Sequence, residues 1–188
     1  VQALALLSAL REAEGSFPSL IVCPTSLVDN WAAEVLKCDP RLRVLRYRGS
    51  PARRDRLRKL ITEQDIVLTT YATARNDALL LKGEQWRYVI LDEAHLIKNA
   101  AAATTKALKI IPARHRLALT GTPVQNRLDE LWSLFDFLMP GCLGRRAHFF
   151  RRYEEPVAKG GAPEATREEV ENGKRAAEEL RERIAPFI

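Results

Sequence analysis

The chain has 188 residues, 46% of them hydrophobic and 29% charged, with a formal net charge of +6. That length is enough for one sizeable core, or for one domain and an appendage. No apolar run approaches the ~20 residues that span a bilayer, and the basic start and small-residue cleavage site of a secretory leader are absent. Cys23, Cys38 and Cys142 are odd in number and show no C-x-x-C spacing, so neither a disulfide framework nor a zinc site is expected. His95, His115 and His148 are too scattered for a metal cluster. A reducing compartment follows, and the moderate positive charge suits a polyanionic partner without requiring one.

Val1 to Glu14 holds good helix formers with Leu4, Leu7 and Leu10 in periodic positions, and Gly15 as a stop. Ser19 to Cys23 reads as a strand, and Pro24-Thr25-Ser26 as the cap of a helix from about Leu27 to Lys37. Hydroxyls at a helix start serve as an N-cap or as a phosphate site, and both readings stand for Thr25 and Ser26. Trp31 reads as core rather than as a base-stacking platform. Arg43 to Tyr47 is a second short strand. Between Arg41 and Lys59 nine basic residues face one acid, Asp55, as either a nucleic-acid patch or a solvated helix face backed by Leu57, Leu60 and Ile61. Asp65 to Thr69 is a third strand ending in Thr70-Tyr71. Those hydroxyls can donate to phosphate, or can simply suit a strand. Ala72 to Lys82 reads as a helix, and Gly83 to Trp86 as a turn.

The chain centres on Val89-Ile90-Leu91-Asp92-Glu93-Ala94-His95. An apolar run of this kind is a buried parallel strand, and open α/β sheets place their ligands at the C-terminal edge, where Asp92 and Glu93 fall. Adjacent acids there suit metal-assisted hydrolysis, one facing Mg²⁺ through water and the other taking a proton from an attacking water. Taken alone, the pair also describes a helix start or a solvated loop. A second apolar strand, residues 116–120, ends about 25 residues on in Thr120-Gly121-Thr122-Pro123, on the same edge. Between the two come Lys98, able to face a polyanion or cap carbonyls, and a helix from about Ala101 to Ile111. Strand–helix alternation implies a parallel sheet with right-handed crossovers. Leu128 to Leu138 is an apolar helix. Arginines then surround Phe149 and Phe150, Gly160-Gly161-Ala162-Pro163 reads as a flexible loop, and Glu164 to Ile184 as a charged helix with a seam at Val170, Gly173, Ala177, Leu180 and Ile184.

At Leu91-Asp92-Glu93-Ala94-His95-Leu96-Ile97-Lys98-Asn99 and Leu119-Thr120-Gly121-Thr122-Pro123-Val124-Gln125-Asn126 the chain resembles the first motor lobe of the Swi/Snf-related DNA-translocating ATPases of helicase superfamily two. The run from Glu130 to Pro140 separates that family from generic RNA helicases. The resemblance implies an α/β fold with a RecA-like parallel sheet of the P-loop NTPase type in residues 1–140, and a helical protrusion and linker in 141–188. It implies ATP and Mg²⁺ bound between this lobe and a second RecA-like lobe of the same polypeptide. Asp92 would coordinate Mg²⁺ through water, and Glu93 would orient and deprotonate the attacking water. His95, Thr120, Thr122 and Gln125 would relay the nucleotide state. Thr25, Ser26, Thr70, Tyr71 and Lys98 would grip one strand of duplex DNA. The wider partner is a DNA-bound protein complex, as in chromatin remodelling, with no membrane. The expected location is the cytoplasm or nucleoid of a bacterium, or the nucleus of a eukaryote.

In that family a Walker A phosphate loop directly precedes a Gln and the first helix. Here the chain begins at Val1-Gln2 and holds no G-x-x-x-x-G-K-[S/T], so the cradle and its strand are expected to be missing and the stretch to be inactive by itself. Ala185-Pro186-Phe187-Ile188 resembles the start of the family's Pro-Phe-Ile-Leu-Arg-Arg signature. Two other readings remain: a non-enzymatic DNA- or protein-binding remnant, and a lobe of an RNA helicase or restriction-type translocase.

Overall fold

Five short runs rich in β-branched and aliphatic residues frame the first part of the chain. They are β1 (Ser19–Cys23), β2 (Val44–Arg46), β3 (Ile66–Thr70), β4 (Tyr88–Asp92) and β5 (His115–Leu119). They pair in the order β2-β3-β1-β4-β5, every pairing parallel. The computed structural model describes residues 2–15, 17–121 and 127–188. Residues fall into two compact units, 1–123 and 124–188.

β1 and β3 are buried at all five positions, which is why Ser-Leu-Ile-Val-Cys and Ile-Val-Leu-Thr-Thr show no apolar–polar alternation: neither face of a central parallel strand is wet. Ile21, Cys23, Ile66, Leu68 and Ile90 join one cluster with Leu4 and Leu7 of α1 (Gln2–Glu14) and Val28, Ala32 and Val35 of α2 (Val28–Cys38). The alternate residues Leu20, Val22, Val67, Val89 and Leu91 point the other way and are equally buried. After α3 (Pro51–Arg58) come α4 (Tyr71–Asn76), α5 (Ala78–Lys82) and α6 (Ala103–Lys109). Helix α4 packs on β1, β3 and α6.

The register sets the site. Cys23 pairs with Thr70, Val22 with Leu91, and Asp92 with Leu119. Four strand ends therefore finish level, and the residues after them emerge side by side over about 14 Å, three strand spacings. The two sheet edges differ: β2 has three residues, whereas β5 has five, with Leu117 and Leu119 only half covered.

Two expectations for this unit change, and one open reading is decided. Thr25–Leu27 is a 3₁₀ turn closed by Leu27 N–H on the Pro24 carbonyl (2.9 Å), and no side chain caps α2. The helix expected over 72–82 breaks at Asp77, whose carboxylate is drawn away by the Tyr47 hydroxyl and by Arg54. Most arginines of the basic stretch pair within the unit: Arg41 with Asp39 and Glu12, Arg43 with Asp65, Arg46 and Arg48 with Asp29, Arg54 with Asp77, and Arg58 with Asp55 and Glu84. The solvated, paired reading of that stretch therefore accounts for most of it.

The second unit begins with α7 (Leu128–Leu138), buried at Leu131, Trp132, Ser133, Phe135 and Phe137. Next, α8 (Arg146–Phe149) runs through a π-helical turn, Phe150–Glu154, into α9 (Glu155–Gly160). Helix α10 (Arg167–Ile184) opens with a reciprocal cap: Thr166 accepts from Glu169 N–H, and the Glu169 carboxylate accepts from Thr166 N–H at 2.9 Å. Its buried seam is Gly173, Ala176 and Leu180 rather than one through Ala177. Gly160, expected in a flexible loop, instead ends α9 against α10. A Cβ on Gly160 would stand 2.6 Å from the Glu169 carbonyl oxygen, and one on Gly173 would stand 2.9 Å from that of Pro156. Only hydrogen lets the two backbones come this close.

Candidate active site

At the end of β4 the chain makes an abrupt turn. Glu93 has φ 55° and ψ 51°, alone among the described non-glycine residues in the left-handed region. That conformation costs roughly 1–2 kcal/mol for a residue with a Cβ. It also brings Glu93 N–H onto Asp92 Oδ1 (3.1 Å) and starts the 3₁₀ turn Ala94–Ile97. Strain of this kind at an acidic residue is typical of a functional position. The Glu93 and His95 side chains, 39% and 46% exposed, meet at 3.2 Å between Oε2 and Nδ1.

Asp92 is held from three sides. Besides Glu93 N–H, the Trp31 indole donates to Oδ2 at 2.8 Å, and the Tyr71 hydroxyl donates to its backbone carbonyl at 2.7 Å. The buried Cys23 thiol next to this strand end donates to the Thr69 carbonyl at 3.7 Å. Burial, aided by the charge of Asp92, pushes the thiol up to about 12, which leaves it protonated and inert near neutral pH. Burial and the same charge push the Tyr71 phenol up as well.

The donor set fits Mg²⁺. Among the described residues no group of three or more His, Cys, Asp or Glu could cage a metal ion. A hard cation that keeps its waters needs one or two carboxylates and the substrate's phosphates, not an all-protein cage. Each Asp92 oxygen has one hydrogen bond and a further lone pair, and the residue is half exposed at the sheet edge.

The remaining expected residues divide by what holds them. Thr25 and Ser26 are exposed, and neither hydroxyl has a partner among the described residues. The Thr70 hydroxyl caps α4, accepting from Thr73 N–H (3.2 Å) and donating to Thr73 Oγ1 (3.0 Å), while Tyr71 is turned inward onto Asp92. Lys98 is exposed just after the Ala94–Ile97 turn, and Thr120 is exposed next to the end of β5. Thr122 and Gln125 lie outside the described residues. Trp31 is the member that sequence reading assigned to the core. A half-buried indole N–H requires an acceptor, but its acceptor lies 61 residues away.

The family model of the SNF2-related domain matches residues 1–188. The chain belongs to the SNF2-related family. This SNF2-related chain is 44% identical over 173 residues to the TATA-binding protein-associated factor MOT1 of Saccharomyces cerevisiae, covering 92% of the chain and 9% of that protein. It is 38% identical over 196 residues to the DNA excision repair protein ERCC-6-like of Danio rerio, covering all of the chain and 14% of that protein. The SWI2/SNF2 ATPase core of Sulfolobus solfataricus in complex with dsDNA superposes with a TM-score of 0.85 at 36% identity, covering all of the chain and 36% of that one. The SNF2-related chain therefore spans about a tenth of those curated relatives and about a third of that solved neighbour. Its five-stranded parallel sheet is the RecA-like sheet of the SNF2 ATPase core.

Proposed function

We propose that this chain is part of an ATP-driven motor that moves along double-stranded DNA, with residues 1–140 contributing the lobe that carries the hydrolytic acids. The observation behind this reading is the turn at Asp92-Glu93: two adjacent carboxylates at the ligand edge of the sheet, one braced by three hydrogen bonds and the other held in a strained conformation against His95. Glu93 accepts the proton of the water that attacks the terminal phosphate of ATP, and His95 steadies its carboxylate at 3.2 Å. Asp92 would hold Mg²⁺ through water, and that ion would supply charge neutralisation at the phosphates. Thr120, with Thr122 and Gln125, passes the nucleotide state onward.

Thr25, Ser26 and Lys98, exposed near that edge, meet the DNA backbone, while Thr70 and Tyr71 frame the neighbouring strand end. A solved neighbour bound to dsDNA supports this choice of nucleic acid. The relatives named for association with TATA-binding protein support a DNA-bound protein as the target of the full motor. A second RecA-like lobe supplies the opposite wall of the nucleotide site. The test is ATP hydrolysis by the full-length native protein with duplex DNA, single-stranded DNA or RNA, beside a Glu93→Gln variant. Duplex DNA should stimulate most. Loss of the general base should cost about 10²–10⁴-fold in turnover, with nucleotide and DNA binding retained. Hydrolysis untouched by Glu93→Gln, or stimulated best by RNA, would refute the reading.

A further inference from the structure

The two loops assigned to the DNA side each send one side chain to Asp92. Trp31 sits on α2, which follows directly from the Thr25-Ser26 turn, and its indole N–H reaches Oδ2 at 2.8 Å. Tyr71 follows Thr70 and opens α4, and its hydroxyl reaches the backbone carbonyl at 2.7 Å. One bond therefore fixes the carboxylate and the other fixes the main chain beneath it. The partners come from 61 and 21 residues away: Trp31 from the helix after β1, which pairs with β4, and Tyr71 from the end of β3, one strand further along the sheet. Helix α2 packs on the core through buried Val28, Ala32 and Val35, so its first turn and the Trp31 indole belong to one rigid helix and shift together. Tyr71 is 9% exposed with its hydroxyl turned inward. It is poorly placed to hold a phosphate itself and well placed to report the position of α4.

We propose that Trp31 and Tyr71 are positioning residues for Asp92, through which engagement of the Thr25-Ser26 and Thr70-Tyr71 loops by duplex DNA sets the metal-facing carboxylate. This rests on the motor reading above and adds the route by which nucleic acid switches on hydrolysis. The physical basis is that an N–H donated to an ionised carboxylate is a strong, directional bond. Partners one step out from a metal ligand typically alter metal affinity by 10–100-fold when removed. If Trp31 merely fills the core, an aromatic ring without the N–H serves as well.

The experiment uses the full-length protein labelled with 5-fluorotryptophan, and the variants Trp31→Phe, Tyr71→Phe and Glu93→Gln. With nucleotide and Mg²⁺ absent, duplex DNA should shift the ¹⁹F resonance that disappears in Trp31→Phe. The resonance of buried Trp86, just ahead of the opposite end of β4 and bonded to the Leu81 carbonyl, should stay in place. In hydrolysis, Trp31→Phe should raise the half-saturating Mg²⁺ concentration about tenfold. Tyr71→Phe, which keeps the ring and so the packing, should lower stimulation by duplex DNA about fivefold, the equivalent of one ordinary hydrogen bond, with DNA affinity preserved. A position-31 resonance indifferent to DNA, or unchanged Mg²⁺ dependence in Trp31→Phe, overturns the role of the indole. Weakened DNA binding by Tyr71→Phe assigns the phenol to phosphate and overturns its role here. If wild type responds to duplex DNA and Glu93→Gln is inert while both aromatic variants behave as wild type, the route fails and the motor stands. If wild type shows no response to duplex DNA, both fall.

Discussion

Removing the Asp77 carboxylate should undo the corner that carries Thr70 and Tyr71. Asp77 stands between α4 and α5 with its side chain 9% exposed, opposite an Arg54 side chain that is 12% exposed. Oδ2 accepts from the Tyr47 hydroxyl (2.8 Å) and from Arg54 Nε (2.6 Å), and Oδ1 accepts from Arg54 Nη2 (2.9 Å). Tyr47 is fully buried. Asp77→Ala leaves a guanidinium and a phenol desolvated without their acceptor, and breaking a buried pair from one side costs about 3–5 kcal/mol. Asp77→Asn keeps one acceptor oxygen and should cost about 1.5–3 kcal/mol, the worth of a hydrogen bond to a charged group. Adding Arg54→Met to Asp77→Ala should recover part of the loss, because no buried charge then remains. Urea unfolding of the four proteins measures these differences.

The same carboxyl gives a pH signature. The Arg54 guanidinium, with help from the Tyr47 hydroxyl, holds Asp77 below the usual carboxylate range in the folded state. Its contribution is thus complete above the unfolded value of about 3.9 and is lost as pH falls through the depressed folded value. The stability gap between wild type and Asp77→Asn should narrow only below about pH 4. An Asp77→Ala protein within ~1 kcal/mol of wild type, or a gap that closes near neutral pH, would show that this network does not hold the corner.

In the helical hairpin, Gly173→Ala sets a helix-propensity gain of about 1 kcal/mol against an overpacking cost of about 1–3 kcal/mol, because the new methyl would meet the Pro156 carbonyl oxygen at 2.9 Å. A net loss near 1 kcal/mol, or about 2–4 °C in Tm, is expected; a stabilised variant would refute the close crossing. Salt titrations of duplex DNA affinity should separate two kinds of contact. Lys98→Ala should flatten the log–log slope by about 0.9 for the phosphate it neutralises. Ser26→Ala should weaken binding about fivefold, as loss of one hydrogen bond would, and leave the slope unchanged. Equal slopes for wild type and Lys98→Ala would remove Lys98 from the DNA path.

The strands, their parallel pairing and the place of Asp92 and Glu93 at the sheet edge were legible because each rests on a local pattern: a short, largely apolar run, then a change of chemistry. The partners of Asp92 were not. Trp31 shares α2 with core residues Val28, Ala32 and Val35, and nothing within its own helix reveals that its N–H faces a carboxylate on another strand. Tyr71 shows the same limit: its residue type allowed a phosphate donor, but the Asp92 carbonyl on β4, two strands away, fixes the hydroxyl's direction. Gly160 misled for the opposite reason. Glycine pairs usually mark loops, and here glycine is required by a helix on another part of the chain. The seam of α10 slipped from Ala177 to Ala176 because adjacent alanines carry no signal to separate them.

The unequal edges of the sheet bear on how such a chain behaves in a test tube. On one side, three-residue β2 ends in Arg46, which is paired with Asp29. On the other, no strand pairs with the outer side of β5 among the described residues, and Leu117 and Leu119 are half covered there. Arg116, the one arginine or lysine in that strand, is folded back onto the carbonyls of Lys109 and Ile111 and gives the edge no charged guard. An unguarded row of N–H and C=O groups beside leucines is a template for another strand. A strand laid along it in register would finish level with Asp92, which pairs with Leu119 at the end of β5. Handled alone, the 188-residue stretch should therefore be a poor solution citizen, pairing edge to edge as its concentration rises, and a peptide able to lie along β5 should keep it monomeric.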